Sequence, residues 1–277
     1  MVVDFHTHVF PKRVVERRDE FVKRDPLFSS LYSNPKSKMA TSEELLRSME
    51  ENGVDFSVIL GGSYEDPELL RLINEYILES SSKHKNLIPF CCAKLDEARE
   101  ISRLADEGAR GIGEIRLSGD ILDEGILREI DEIAVEKGLI LLFHSSEPVG
   151  HMYPGKGDIF PQVIWRILEL IPRAKKVFAH WGGGIFFYSL MPEVEEALKN
   201  AFFDTAATPF LYRDKIFKVA MDIVGSEKIL FGTDFPLISQ RRMLELIRAL
   251  DIGEDYKGKI LGENGRRLLE DKDIHSR

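Results

Sequence analysis

The chain has 277 residues, 43% of them hydrophobic, with 38 Lys and Arg against 47 Asp and Glu and a formal net charge of -9. That apolar fraction supports a sizeable buried core, and the acidic balance, with no long basic run, argues against a nucleic-acid partner. No uninterrupted apolar stretch is long enough to span a bilayer, so no membrane partner is expected. The opening residues run straight into a strand-like segment rather than a signal peptide. The only cysteines, Cys91 and Cys92, are adjacent and do not suit a structural disulfide. A cytoplasmic setting is the expectation.

The first strand ends in Asp4-Phe5-His6-Thr7-His8. Alternation puts Asp4, His6 and His8 on one face and Phe5 and Thr7 on the other, so two imidazoles project together from one rigid element and can grip a metal ion. In isolation such a pair reads equally well as two capping histidines; later strand ends bear on that choice. Residues 12–24, with Val14, Val15, Phe21 and Val22, read as a short helix. Residues 25–40 carry Pro26, Pro35 and several serines and read as an inserted loop. Thr41 with Glu44 three residues on forms a capping box, opening a helix that Gly53 stops.

From there apolar runs and helical patterns alternate. Strands are expected at 56–60, 87–93, 111–117, 139–143, 177–179, 202–206 and 229–231. Helices are expected from Asp66-Pro67 onward, then at 96–107, 123–137, 161–170, 192–200, 212–224, 240–250 and 255–269. Eight strand-like runs, each followed by a helical one, imply a parallel sheet buried on both faces. In this length they suit an α/β fold of one domain over 1–277: a (β/α)8 TIM barrel with loop insertions after strands 1 and 5, the second spanning 145–158.

In such a barrel catalytic groups come from the C-terminal ends of the strands. His6 and His8 end strand 1, Glu114 and Arg116 strand 4, His144 strand 5, His180 strand 6 and Asp234 strand 8. Closure sets strand 8 beside strand 1, and hence Asp234 beside the histidine pair. A single strand-end histidine is usually a turn residue; the whole set makes that reading strained. Neutral imidazoles with a carboxylate suit Zn²⁺ and tolerate Mn, Co, Ni or Fe. Asp4, deeper on the same face, suits support of the ligands rather than ligation.

Asp4-Phe5-His6-Thr7-His8, Phe143-His144, Ala179-His180-Trp181-Gly182-Gly183, Phe231-Gly232-Thr233-Asp234-Phe235-Pro236 and the ending Ile260-Leu261-Gly262-Glu263-Asn264-Gly265-Arg266-Arg267-Leu268 together resemble the amidohydrolase-related metal-dependent hydrolases. The resemblance spans the chain. It is to the branch that contains aminocarboxymuconate semialdehyde decarboxylase, where both hydrolases and lyases occur. It implies His6, His8 and His144 as metal ligands, with Asp234 as a fourth ligand, a catalytic proton acceptor, or both. His180 is implied as an unligated catalytic imidazole that polarises substrate or shuttles a proton. One divalent ion, zinc first, is the expected cofactor. Glu114 keeps a second, bridged ion open, against the alternatives of a substrate-binding or core-network carboxylate. The resemblance also suggests a homodimer.

Arg116 is placed to bind a substrate carboxylate or to pair with Glu114. His151 and Lys156, in the glycine- and proline-rich stretch 147–157, are candidate substrate contacts, although solvation is the default for such a lysine. His84 and His275 read as surface residues, and Phe186-Phe187-Tyr188 as packing. The first functional expectation is hydrolysis of an ester, lactone or amide in a small, anionic, carboxylated substrate by metal-activated water. The alternative is a metal-dependent non-oxidative decarboxylase using the same site. A catalytically silent barrel that only binds comes third, since a drifting site should have lost at least one of these residues.

Overall fold

The computed structural model describes residues 1–117 and 123–270; His275 lies outside them. Eight parallel strands run in sequence order: β1 (Val3–His8), β2 (Phe56–Leu60), β3 (Leu87–Cys91), β4 (Gly111–Ile115), β5 (Ile140–Phe143), β6 (Lys176–Phe178), β7 (Ala201–Asp204) and β8 (Ile229–Leu230). The sheet closes between its ends. The amides of Phe5 and His8 donate to the carbonyls of Phe231 and Phe235, and the Asp234 amide donates to the His6 carbonyl. This is the expected (β/α)8 barrel, nearly closed, with helices between the strands. Among the described residues no helix is long and apolar enough to cross a membrane.

Two apolar layers hold it. Inside the barrel lie Val3, Phe5, Val58, Leu60, Phe90, Ile140, Leu142, Val177, Ala179 and Leu230; a larger cluster fills the space between strands and helices. Helix ends follow the local chemistry. Thr41 and Glu44 form the capping box of α4 (Ser42–Asn52), and Gly53 ends it in the left-handed region at φ 68°. Asp66 caps α5 (Pro67–Lys83), Asp123 caps α7 (Glu124–Lys137), and Gly138 closes α7 at φ 63°.

The segment after β1 departs from expectation. Residues 12–24 form two helices, α1 (Lys12–Glu16) and α2 (Arg18–Arg24), broken at Arg17. Residues 25–40 are not all loop, because α3 occupies Pro26–Tyr32. Its cause was legible: Asp25-Pro26 repeats the Asp66-Pro67 signal, an N-cap carboxylate before a proline at the first helical position. Asp25 accepts from the amides of Phe28 at 2.7 Å, Glu65 at 2.6 Å and Asp66 at 2.9 Å, which ties α3 to the loop after β2. The stretch after β5 is irregular, as expected. The closing helix is interrupted by a π-turn at Lys259–Glu263, where Gly262 packs on the chain start; a Cβ there would lie 2.2 Å from the Met1 carbonyl oxygen.

One buried group works against the fold. Lys176 opens β6 facing the helical layer, fully buried, and its amine has no hydrogen-bond partner among the described residues. Burial, reinforced by Lys228 and opposed by Asp131, pushes its pKa down to about 8 from 10.5. Between those values the unfolded chain binds the proton that the folded chain has released, so stability rises with pH there. Below pH 8 the full cost of the charge applies, about 3 kcal/mol at 1.36 kcal/mol per pKa unit. Lys176→Met should therefore raise the free energy of unfolding at pH 7 by up to about that amount, with the gain shrinking toward pH 10. Urea titrations at both pH values check this. No gain at pH 7 would show that the amine is already paid for by a bound water or a shift of Asp131.

Candidate metal centre and active site

The strand ends bring the chemistry together at one mouth. The pairing of β1 with β2 slips between Asp4 and Thr7. Such an irregularity re-aims side chains: Phe5 packs inside the barrel while His6 and His8 meet at its mouth, their Nε2 atoms 3.1 Å apart. Asp234 Oδ1 lies 3.4 Å from His8 Nε2 and 3.7 Å from His6 Nε2. His6 Nδ1 sits 2.8 Å from Asp204 Oδ2, fully buried at the end of β7. With Nδ1–H donated to that carboxylate, the Nε2 lone pair turns to the cluster, the usual orientation of a ligating imidazole. Behind it Asp4 accepts from Thr233 Oγ1 at 2.7 Å and Gln240 Nε2 at 2.9 Å, which fits its expected supporting role.

These donors fit a divalent cation. His6, His8 and Asp234 offer three atoms close enough to share one ion. Burial opposes a charge on His6, but Asp204, then Asp234 and Glu114, outweigh it and push its pKa up to about 10. The position calls for positive charge, which a proton or a metal ion can supply. Asp234 is held far below the usual carboxylate range: burial works against its charge, and His8, His6 and His180 more than compensate.

Glu114, His144, His180 and Arg116 form the other half. Glu114 Oε1 is 2.7 Å from His144 Nδ1, 3.5 Å from His180 Nε2 and 3.9 Å from His6 Nε2. His6, Glu114 and His180 make a second set of donors close enough for an ion. His144 is not brought into either set among the described residues. Its Nδ1 meets Glu114 and Arg116, the latter at 3.0 Å, and its Nε2 meets Ser146 Oγ at 3.1 Å. Burial, then Arg116, lowers its pKa to about 3, so the ring is neutral. His180 takes φ 55° and Asp234 φ 62°, left-handed conformations that non-glycine residues adopt at a cost. The His180 amide donates to Asp204 Oδ1 at 2.9 Å, and its Nδ1 lies 3.3 Å from the Ala206 carbonyl, which leaves Nε2 facing Glu114. Burial disfavours the imidazolium, but Glu114 and Asp234 raise its pKa overall.

Above this floor is a cavity of about 440 Å³. Leu27, Leu31, Tyr32, Tyr64, Phe210 and Leu211 wall it, and the exposed Lys38 and His151 stand at its rim. Arg116 donates to the Gly155 carbonyl at 2.6 Å, lies 3.6 Å from Glu114 and lines the cavity. Lys156 does not line this cavity. Its amine turns back to the Val149 carbonyl at 3.0 Å and faces a neighbouring hollow. A wider groove of about 960 Å³ along α5 and α6 (Ala98–Asp106) is lined by charged surface side chains and touches none of these residues. Phe186 is buried, whereas Phe187 and Tyr188 are exposed.

Sequence reasoning passed over Asp204, although its place at the end of the 202–206 run was a usable signal. It also passed over Tyr32, Lys38 and Tyr64, the first two because their segment read as loop.

Comparison with known proteins bears on the family and the fold. The profile of the family described as Amidohydrolase matches residues 3–270. No curated protein matches the chain in sequence. Among solved structures, 5-carboxyvanillate decarboxylase from Sphingomonas paucimobilis superposes with a TM-score of 0.77 at 18% identity, over 97% of this chain and 98% of that one. The manganese complex of 5-carboxyvanillate decarboxylase from Novosphingobium aromaticivorans gives 0.75 at 16%, over 97% and 96%. 2,6-Dihydroxybenzoate decarboxylase from Rhizobium gives 0.70 at 16%, over 97% and 98%. At these identities the likeness is one of fold. With the family profile running through every strand and every residue of the metal-type cluster, the chain belongs to the amidohydrolase family.

Proposed function

We propose that this protein is a metal-dependent, non-oxidative carboxy-lyase acting on a small aromatic carboxylate. The observation that carries the reading is the cavity: a slot of about 440 Å³ with aliphatic and aromatic walls over a floor of imidazoles, carboxylates and one guanidinium. Such a slot accepts a planar apolar ring and directs its acid group to the charged end. Solved structures of the same fold carry the names of decarboxylases of hydroxylated ring acids, which moves the weight from hydrolysis, the first expectation from sequence, to its alternative. His6, His8 and Asp234 would hold a divalent ion, and zinc and manganese both suit these donors, while His144, expected from sequence as a ligand, faces Glu114 and Arg116. The ion supplies Lewis acidity toward the substrate's oxygens.

In the proposed reaction the C–CO₂ bond breaks, its electron pair stays on the ring carbon, and a proton replaces the carboxylate as CO₂ leaves. Arg116, at the charged end, orients the acid group. His180 carries the proton: Glu114 favours its charged form, and its Nε2 faces the floor of the cavity. The walls exclude water from the carbanionic centre.

The test is product analysis. Manganese- or zinc-loaded protein, offered a panel of hydroxybenzoates and carboxyvanillate-like acids in D₂O, should release CO₂ and place one deuterium on the ring. Turnover of esters or lactones with uptake of water and no CO₂ from any acid would return the site to hydrolysis, with Asp234 as proton acceptor.

A further inference from the structure

The helix that stands where a loop was expected carries a hydroxyl to the pocket. Tyr32 is the last residue of α3 and lines the cavity with His8, Glu114 and Asp234. Its ring is set by two buried neighbours, Phe28 with centroids 4.8 Å apart and Phe10, edge-on, at 5.2 Å. Tyr64, also buried and also lining the cavity, packs on the same Phe28 at 5.7 Å. Its ring lies back over Gly62, where a Cβ would come within 2.8 Å of Tyr64 Cζ. Loop closure adds a third side: Gly155, at φ 83°, passes so close to α3 that a Cβ would lie 2.4 Å from Leu31 Cδ2. Tyr32 is thus held by packing on several sides, with its phenol among the groups of the site.

Burial first, then Asp234 and Glu114, raise the Tyr32 phenol far above its ordinary range. It stays protonated and acts as a donor. The Tyr64 hydroxyl donates to the Tyr32 oxygen, which leaves the Tyr32 proton for another acceptor, and a ligand that displaces water without offering one leaves that donor unpaired.

We propose that Tyr32 is a specificity-determining residue: its hydroxyl donates a hydrogen bond to an oxygen substituent on the ring of the bound acid, and Tyr64 holds it in place. The site then prefers hydroxylated or alkoxylated aromatic acids to the bare ring acid. The class of ligand rests on the carboxy-lyase reading; the contact itself rests on the wall of the cavity.

The experiment is calorimetric binding of benzoate and of 2-, 3- and 4-hydroxybenzoate to the manganese-loaded protein. At least one hydroxybenzoate should bind about tenfold tighter than benzoate, the scale of one hydrogen bond. Tyr32→Phe should bring that ratio close to one with benzoate affinity unchanged, while Tyr64→Phe retains most of it. A wild-type arm needs no mutation: the methoxybenzoate of the same position should keep the preference, because its oxygen still accepts. Equal or absent binding of all four acids overturns the proposal, as does a preference that survives Tyr32→Phe or is lost on methylation. CO₂ release, followed on the same acids, separates the two readings. A Tyr32-dependent preference without CO₂ removes the carboxy-lyase and leaves this contact; CO₂ without the preference does the reverse.

Discussion

His8→Ala is expected to strip the protein of its divalent ion and take turnover to background while the barrel stays folded. His8 contributes an Nε2 atom 3.1 Å from that of His6 and 3.4 Å from Asp234, so the three-donor cluster loses a member. Its side chain stands at the mouth, 14% exposed, and barrel C-terminal ends serve function more than stability. Elemental analysis of protein purified without chelator should show about one ion per wild-type chain and none in the variant. One ion is expected rather than two because, of the carboxylates in or against the cluster (Asp204, Asp234 and Glu114), Glu114 is already paired with the Arg116 guanidinium at 3.6 Å. A single divalent charge then balances the rest. A count of about two would make Glu114 a bridging ligand, since it shares a second set of donors with His6 and His180. Wild-type metal content in His8→Ala, or loss of the folded state, would falsify the assignment of His8.

His180→Asn should keep the ion and lose turnover by roughly 10²–10⁴-fold, the range for removing a positioned general acid or base. Asparagine preserves a polar side chain of similar reach near Ala206 and Glu114, and it tolerates the left-handed backbone that this position imposes. It carries no titratable proton. Turnover and metal content are therefore predicted to part company in this variant, unlike in His8→Ala. If metal were lost in step with activity, His180 would be a ligand through the second donor set. If activity persisted, Asp234 would be the proton carrier on its own.

Much of this was legible in the chain because it is written locally. The capping box Thr41/Glu44, the Asp66-Pro67 start and the left-handed glycines at 53 and 138 each act within a few residues, and each stands where the sequence put it. Residues 25–40 show the limit of the approach. Prolines and serines counted as loop signals there, while the one carboxylate that caps α3 also binds two amides some forty residues on, in a loop that only the fold brings near.

The amino-acid sequence by itself determined the alternation of strands and helices, and hence which residues stand at strand ends. Periodicity and caps are short-range, and a closed parallel barrel has one functional rim. Only the tertiary structure decided who meets whom on that rim. Asp204 reaches His6 across 198 residues of chain, His144 pairs with Glu114 and Arg116 instead of joining the His6, His8 and Asp234 cluster, Lys156 folds back on its own loop, and Tyr32 arrives on a helix to wall the pocket. Those choices depend on the slip in β1, the closure of β8 on β1 and the packing of α3, all of them contacts between segments distant in sequence.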